Sequence, residues 1–462
     1  MNTEPLDDDT DVDGRIRGQL RFAQTFATTY SNKFRHAHGI GWHRYDGTRW
    51  ATCEDGAETR AVVALVKDHY NQLSTLEDDA RKQLLRDIEK VESANGVKGA
   101  LALAGDMRPI ALAATALDAD PELLNTANGT LNLHTGQLAA PTPADNLSKV
   151  TRAKFTASTS STHFQGFLRR VQPEAEMRDY LARSLGSALL GRVIEQRLQI
   201  WNGQGANGKG TLRDAVRHAL GDYAIEVPPE IMLMSKYGQQ GMAPERMRLK
   251  GARVAFCSEI PHGAKLDEAT MKRLTGGDPV NAKLLYRNPI EFDPSHTFFM
   301  LTNHLPQVRG DDPATWRRLI AVPFNTVVPE KERDGNLPER LKREADAVLA
   351  WLWGGWQDYL RNGLNPPKQV VDATRQYQLD SDIVARFLAD ENAVSVGVAC
   401  SERSSTLYEG FKKWCRAQGE DADLTQKSFT EAMEKHGYEK RRTGSGVVWR
   451  GVMVAASDEQ AA

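Results

Sequence analysis

The residues best suited to do chemistry form one short string, Gly203-Gln204-Gly205-Ala206-Asn207-Gly208-Lys209-Gly210-Thr211. It contains Gly-x4-Gly-Lys, the P-loop spacing, after a buried strand candidate at Arg197–Asn202 and before a helical run at Thr211–Leu220. Glycines let successive backbone N–H groups turn inward around an anion, and the helix N-terminus adds its partial positive charge. Lys209 would then reach the outer phosphates of a nucleoside triphosphate. One position departs from the pattern. The Ser or Thr that normally follows the Lys is Gly210, and the hydroxyl arrives one residue later at Thr211. Mg2+ is therefore expected either on Thr211 or held differently.

Two further strand candidates end in polar residues. Arg253–Cys257 runs into Ser258-Glu259, and His296–Leu301 into Thr302-Asn303. At the C-terminal edge of a parallel sheet, a carboxylate can position Mg2+ and the attacking water, and an amide can bond that water or the γ-phosphate. Glu259 is the candidate base and metal ligand, with Ser258 where an Asp is often found; Asn303 is the candidate sensor. Downstream, Arg317 and Arg318 offer guanidinium groups to a developing phosphoryl charge, or else form an ion-pair network with Asp311 and Asp312. Between these strands, Lys272, Lys283, Tyr286 and Arg287 flank a Gly276-Gly277-Asp278 turn. They suit either a protruding hairpin on a nucleic-acid backbone or a merely solvated one.

These residues need a scaffold. The chain has 462 residues, 40% hydrophobic and 26% charged, enough for about three soluble domains. With 59 Lys plus Arg against 61 Asp plus Glu, the net charge of -2 gives no global footprint for nucleic acid, so such contact must be local. No apolar run approaches the ~20 residues of a membrane span, so no membrane contact is expected. The acidic start argues against a secretory leader, and its Asp9-x-Asp11-x-Asp13-Gly14 run lacks a closing Glu because Leu20 stands there. The four cysteines form no CxxC pair, which fits a reducing cytosolic setting. Residues 1–40 read as an acidic tail and 41–190 as a mixed α+β domain. Residues 191–365 read as an α/β core with a parallel sheet flanked by helices, 366–379 as a linker after Pro366-Pro367, and 380–456 as helix, helix, helix, hairpin. In that last segment, Lys440, Arg441 and Arg442 follow a helix expected over Thr425–His436, the order of a recognition helix and its wing.

The strings GQGANGKGT, SE after a strand, KRLTGGD, TN after a strand and WRR occur in this order and together resemble superfamily 3 helicases of the phage, plasmid and poxvirus helicase–primase type. The NGTLNLHTG segment and the tail from Asp382 resemble that family's N-terminal domain and C-terminal winged helix. The resemblance implies an AAA+-like ATPase forming hexameric rings that bind ATP between subunits and translocate on single-stranded DNA. It assigns Gly203, Gly205, Ala206, Asn207, Gly208, Lys209, Gly210 and Thr211 to the nucleotide loop, and Thr211 and Glu259 to Mg2+. Asn303 becomes sensor 1, and Arg317 or Arg318 the arginine finger. Lys272, Lys283 and Arg287 fall in the DNA-contacting hairpin segment. Expected partners are single-stranded and forked DNA and other copies of the chain, in a bacterial host cytoplasm. No primase polymerase domain is expected in about 40 leading residues, so a separate primase would serve. Two alternatives stay open: a DNA-stimulated ATPase that loads or packages without unwinding, and a winged-helix regulator with a degenerate ATP site.

Overall fold

The computed structural model describes residues 16–159, 161–234, 243–283, 289–308, 312–419, 424–444 and 446–455. The acidic run Asp9–Gly14, and Tyr286, Arg287 and Asp311, lie outside them.

Much of the stretch expected as a tail is folded. Helix α1 (Gln19–Thr29) buries Phe22, Ala23, Phe26 and Ala27 on one face, a helical spacing masked in the sequence by intervening polar residues. Strands β1 (Phe34–Ala37), β2 (Gly41–Tyr45) and β3 (Trp50–Thr52) follow, with β2 and β3 antiparallel across the Asp46-Gly47 turn. Helices α2 (Ala57–Gln72), α3 (Asp78–Glu89) and α4 (Ala94–Asp106) come next. Then β4 (Ala111–Leu112) joins β1 in parallel, giving the order β3-β2-β1-β4. A second sheet, β5 (Leu123–Thr126), β6 (Gly129–Asn132) and β7 (Leu138–Ala139), is an antiparallel meander leading to α5 (His163–Val171) and α6 (Ala175–Ser187).

The centre is a five-stranded sheet. In chain order it contains β8 (Leu198–Asn202), α7 (Lys209–Leu220), β9 (Ala224–Glu226), α8 (Ala243–Arg248), β10 (Val254–Cys257), α9 (Glu268–Thr275), β11 (Val280–Ala282), β12 (Ile290–Phe292), β13 (Thr297–Thr302), α10 (Pro313–Trp316) and β14 (Leu319–Pro323). The order is β14-β8-β13-β10-β9, and every pairing is parallel. All four β10 residues are buried, as a strand covered on both faces requires. Strands β11 and β12 form an antiparallel ladder beside this sheet.

Helices α11 (Leu337–Arg343) and α12 (Ala345–Asn362) carry the chain back across the core. Helix α12 lies against α6 so closely that a Cβ on Gly355 would sit 1.9 Å from the Ala182 carbonyl oxygen, and one on Gly186 would sit 2.3 Å from the Trp356 nitrogen. Glycine at both positions is what permits the approach. The expected linker 366–379 is largely helix α13 (Lys368–Ser381), whose Tyr377 is buried and donates to the Pro306 carbonyl at 2.5 Å. Pro367 caps α13 rather than separating domains, since a proline at a helix start loses no hydrogen bond.

The C-terminal module comprises α14 (Ile383–Ala389), β15 (Val394–Arg403), α15 (Ser404–Ala417), α16 (Gln426–Lys435), β16 (Lys440–Thr443) and β17 (Gly446–Val454). Its sheet runs β15-β17-β16. Strand β15 corrects the expected run of three successive helices. Of its alternating Val394, Val396 and Val398 only the first is buried, because the strand is an edge with a bulge after Val396, so the alternation does not mark one buried face. Thr425 caps α16 by accepting from the Ser428 N–H. Among the described residues no helix is long and apolar enough to cross a membrane.

Candidate nucleotide site

The Gly-rich loop joins β8 to α7, and its shape is fixed from beneath. Asn207, 2% exposed, donates its amide to the carbonyls of Gln204 at 2.6 Å and Phe324 at 2.9 Å, tying the loop to the end of β14. The Val328 N–H donates to the Ala206 carbonyl at 2.9 Å. Ala206 has φ +62° and Gly208 φ +83°. A left-handed alanine costs about 1–2 kcal/mol and persists where surrounding bonds over-determine it, as they do here. Below the loop, Trp201 packs on Phe256, Phe299 and Phe324 at centroid distances of 5.9, 5.5 and 5.3 Å, joining β8, β10, β13 and the residue that follows β14 into one platform.

Lys209 opens α7 and is 7% exposed. Its Nζ donates to the Gly203 carbonyl at 2.5 Å and to Asn303 Oδ1 at 3.3 Å, and no carboxylate pairs with it among the described residues. Burial pushes its pKa down to about 8. A buried cation with no carboxylate partner among the described residues, where a Gly-rich loop meets a helix N-terminus, suits a phosphate group, whose negative charge would favour the ammonium form.

Glu259 also has a left-handed backbone, φ +62°, two residues past β10. Cys257 pairs with Met300, so Glu259 follows β10 at the same C-terminal end of the sheet from which Asn303 and Gly203 emerge. Strands β8 and β10 flank β13, so at ~4.8 Å per strand they lie about 10 Å apart. Ser258, expected to leave an acid missing, donates to Glu226 Oε1 at 2.6 Å and accepts from Arg213 Nη1 at 2.9 Å. Arg213 and Arg217 both pair with Glu226, at 3.1 and 2.7 Å. Burial opposes the charge on Arg213, but its bond to Asp214 and the charges of Asp214, Glu226 and Glu259 outweigh it and hold its pKa above the ordinary value. Arg213 and Glu226 were not anticipated. Arg213 sits one helical turn past Lys209, a spacing visible in the sequence, whereas Glu226 comes near only because β9 lies beside β10. His262 and His304, from the loops after Glu259 and Asn303, meet edge-on at 4.7 Å.

The remaining candidates lie apart from Lys209. Strand β14 runs parallel to β8 with Leu319 opposite Leu198 and Pro323 opposite Asn202. Arg317 and Arg318 precede β14, so they stand at the opposite sheet edge, about 17 Å away over five residues. Arg318 donates to the Ala314 carbonyl at 3.0 Å and to Gln196 Oε1 at 3.2 Å. Arg317 is exposed and has no partner among the described residues. Lys272 forms an ion pair with Asp312, whose carboxyl is pulled down to about 2, chiefly by that bond. Among the described residues Asp312 thus pairs with Lys272, and neither Arg317 nor Arg318 reaches it; Asp311, the other acid of the expected network, lies outside them. Lys283 is exposed at the end of β11. In the C-terminal module Lys440 pairs with Glu434 at 2.7 Å, and Arg441 and Arg442 are exposed on β16.

Two family descriptions match the chain: "D5 N terminal like" over residues 23–173 and a family of unknown function, DUF5906, over residues 201–318. A helicase-named protein of Acanthamoeba polyphaga mimivirus, L207/L206, is 25% identical over 88% of this chain and 47% of its own. A primase-named protein of African swine fever virus, C962R, is 26% identical over 65% of this chain and 34% of its own. The chain thus spans half or less of the length of these two relatives. The apo C-terminal region of NrS-1 aligns with a TM-score of 0.42 at 11% identity, over 66% of this chain and 77% of that one. The D5-type match over residues 23–173 and the helicase-named viral relatives support a likeness of this chain to the phage- and poxvirus-type, D5-like helicase–primase family.

Proposed function

We propose that this chain is an ATP-dependent DNA helicase, with an AAA+-like ATPase unit that works in a homo-hexameric ring on single-stranded and forked DNA. The observation that carries this reading is Lys209, a buried ammonium with no carboxylate partner among the described residues, at the end of a Gly-rich loop and with Asn303 within hydrogen-bond reach. In this reading the loop amides and Lys209 hold the β- and γ-phosphates of ATP, Asn303 orients the attacking water, and Glu259 accepts its proton. Mg2+, when bound, neutralises phosphate charge, and Thr211 and Glu259 are the residues offered to it. Arg317 lies at the far sheet edge, where it suits the nucleotide of a neighbouring subunit. Lys272, Lys283 and Arg287 are the residues offered to single-stranded DNA, and Lys272 is held in an ion pair with Asp312. The direct test is ATP turnover with and without single-stranded DNA; a large stimulation is expected, and indifference to DNA would overturn the reading.

The Mg2+ assignment makes its own prediction. Thr211→Ala should lower Mg2+-dependent turnover by about tenfold or more, a loss of ~1.4 kcal/mol of transition-state stabilisation. Gly210→Ser should be nearly silent, because a Cβ at Gly210 would meet nothing within 4 Å. Steady-state kinetics across a Mg2+ titration distinguish them, and a silent Thr211→Ala would remove the hydroxyl from the account.

The C-terminal module supports a winged-helix reading, with α16 as recognition helix and β16–β17 as wing. All four β16 residues are exposed, whereas β17 buries Trp449 and Val452 in the module's core, so only the outer strand of the ribbon faces outward. The groove between α15, α16 and the ribbon mixes Arg403, Lys427 and Lys440 with Glu431 and Glu434. Duplex contact would therefore centre on Arg441 and Arg442. Replacing Lys440, Arg441 and Arg442 with Ala should weaken duplex binding and flatten its log–log salt dependence by about 0.9 per lost phosphate contact. Unchanged affinity and slope would move this module to protein docking.

A further inference from the structure

Outside the nucleotide site, three side chains with metal-binding atoms converge on the N-terminal module. A ring nitrogen of His36, one of His38 and a carboxylate oxygen of Asp106 all lie within 4.8 Å of one another. The two histidines are two residues apart, at and just past the end of β1, and so project to the same side. Asp106 is the last residue of α4. The backbone fixes this meeting: the N–H groups of His36 and His38 donate to the carbonyls of Ile110 and Leu112 at 2.9 and 3.1 Å, holding β1 against the chain that leaves α4.

We propose that His36, His38 and Asp106 form a binding site for a divalent first-row transition metal of the Zn2+ class, which clasps the end of α4 to β1. Two imidazoles and one carboxylate are a donor set that Zn2+ accepts, with a fourth position left to water. His36 is the fixed member. It packs on Trp42 at a centroid distance of 5.0 Å, and its Nδ1 lies 3.3 Å from the Gly105 carbonyl oxygen. A carbonyl only accepts, so this contact puts the proton on Nδ1 and leaves the lone pair on Nε2; metal-binding histidines are commonly oriented by such a bond. Gly105 is required for the approach, since a Cβ there would stand 2.8 Å from that nitrogen. His38 and Asp106 are the adjustable members, 57% and 73% exposed, with Nε2 and Oδ1 3.9 Å apart. Bonds of ~2.0 Å in a tetrahedron place ligand atoms about 3.3 Å apart, so rotamer changes of these two exposed side chains suffice to close the site.

The test uses the full chain stripped of metal, at fixed neutral pH, with Zn2+ competed against a chromophoric chelator. One tight equivalent per chain is expected, with Kd at or below about 10 µM. His38→Ala and Asp106→Asn should each weaken it by at least about tenfold. Both positions are exposed, so these variants should fold, which far-UV circular dichroism checks. The thermal midpoint should rise with Zn2+ in the parent chain and stay put in the double variant. An undiminished equivalent in the double variant, or no binding below about 1 mM, overturns the proposal.

Discussion

Lys209→Ala should lower ATP turnover by about 10²-fold or more, the scale of losing one charged contact to a transferring phosphoryl group. The fold should survive. The ammonium is desolvated and has no carboxylate partner among the described residues, so its removal takes away no ion pair among them and leaves two oxygens, on Gly203 and Asn303, short of a donor. The same burial sets a pH dependence. With a pKa of about 8, Lys209 loses its charge above that pH in the nucleotide-free protein. Nucleotide phosphates favour the protonated form, so affinity for ATP should fall as pH rises past 8 and be insensitive to this group below it. The stability effect has the opposite sign. Between the folded value near 8 and the ordinary 10.5, the unfolded chain holds the extra proton, so the free protein gains stability from this group as pH rises. Titrating nucleotide affinity from pH 7 to 9.5 in parent and Lys209→Ala proteins checks the assignment, and equal slopes would refute it.

The second large effect belongs to Arg317. Arg317→Ala should cost about 10³-fold in turnover if the guanidinium completes a neighbour's site, the usual worth of an arginine finger. Arg318→Ala should act mainly on stability, since Arg318 is bonded to Ala314 and Gln196 of its own chain. Because β14 and β8 are parallel, Arg317 and Lys209 sit at opposite edges of one sheet and cannot share a nucleotide within one chain. Mixed rings of Lys209→Ala and Arg317→Ala subunits should therefore regain measurable ATPase, because some interfaces pair an intact loop with an intact arginine. Activity no higher than the sum of the separate variants would count against action between subunits.

How much of this was legible beforehand follows from how local each feature is. The loop at 203–211 was readable because its chemistry is contiguous, and the strands carrying Glu259 and Asn303 were readable as short apolar runs ending in polar residues. Their convergence needed the strand order, which places β13 between β8 and β10. Glu226 escaped notice because its partner Ser258 is 32 residues away and meets it only across adjacent strands. The ion pair of Lys272 could not be read because its partner Asp312 is 40 residues distant. Helix α13 was hidden by Pro366-Pro367, which signals a break whether a linker or a helix start follows. The tail was set too long because α1 buries four residues among polar neighbours, so its composition outweighed its periodicity.

The account rests on ATP hydrolysis being coupled to strand separation. Strand displacement on a forked duplex, measured with the full chain, Mg2+ and either ATP or a non-hydrolysable analogue, tests that coupling most directly. The account predicts displacement with ATP, none with the analogue, and none with Lys209→Ala. DNA-stimulated hydrolysis without any displacement would contradict it and leave a motor or loader that does not unwind.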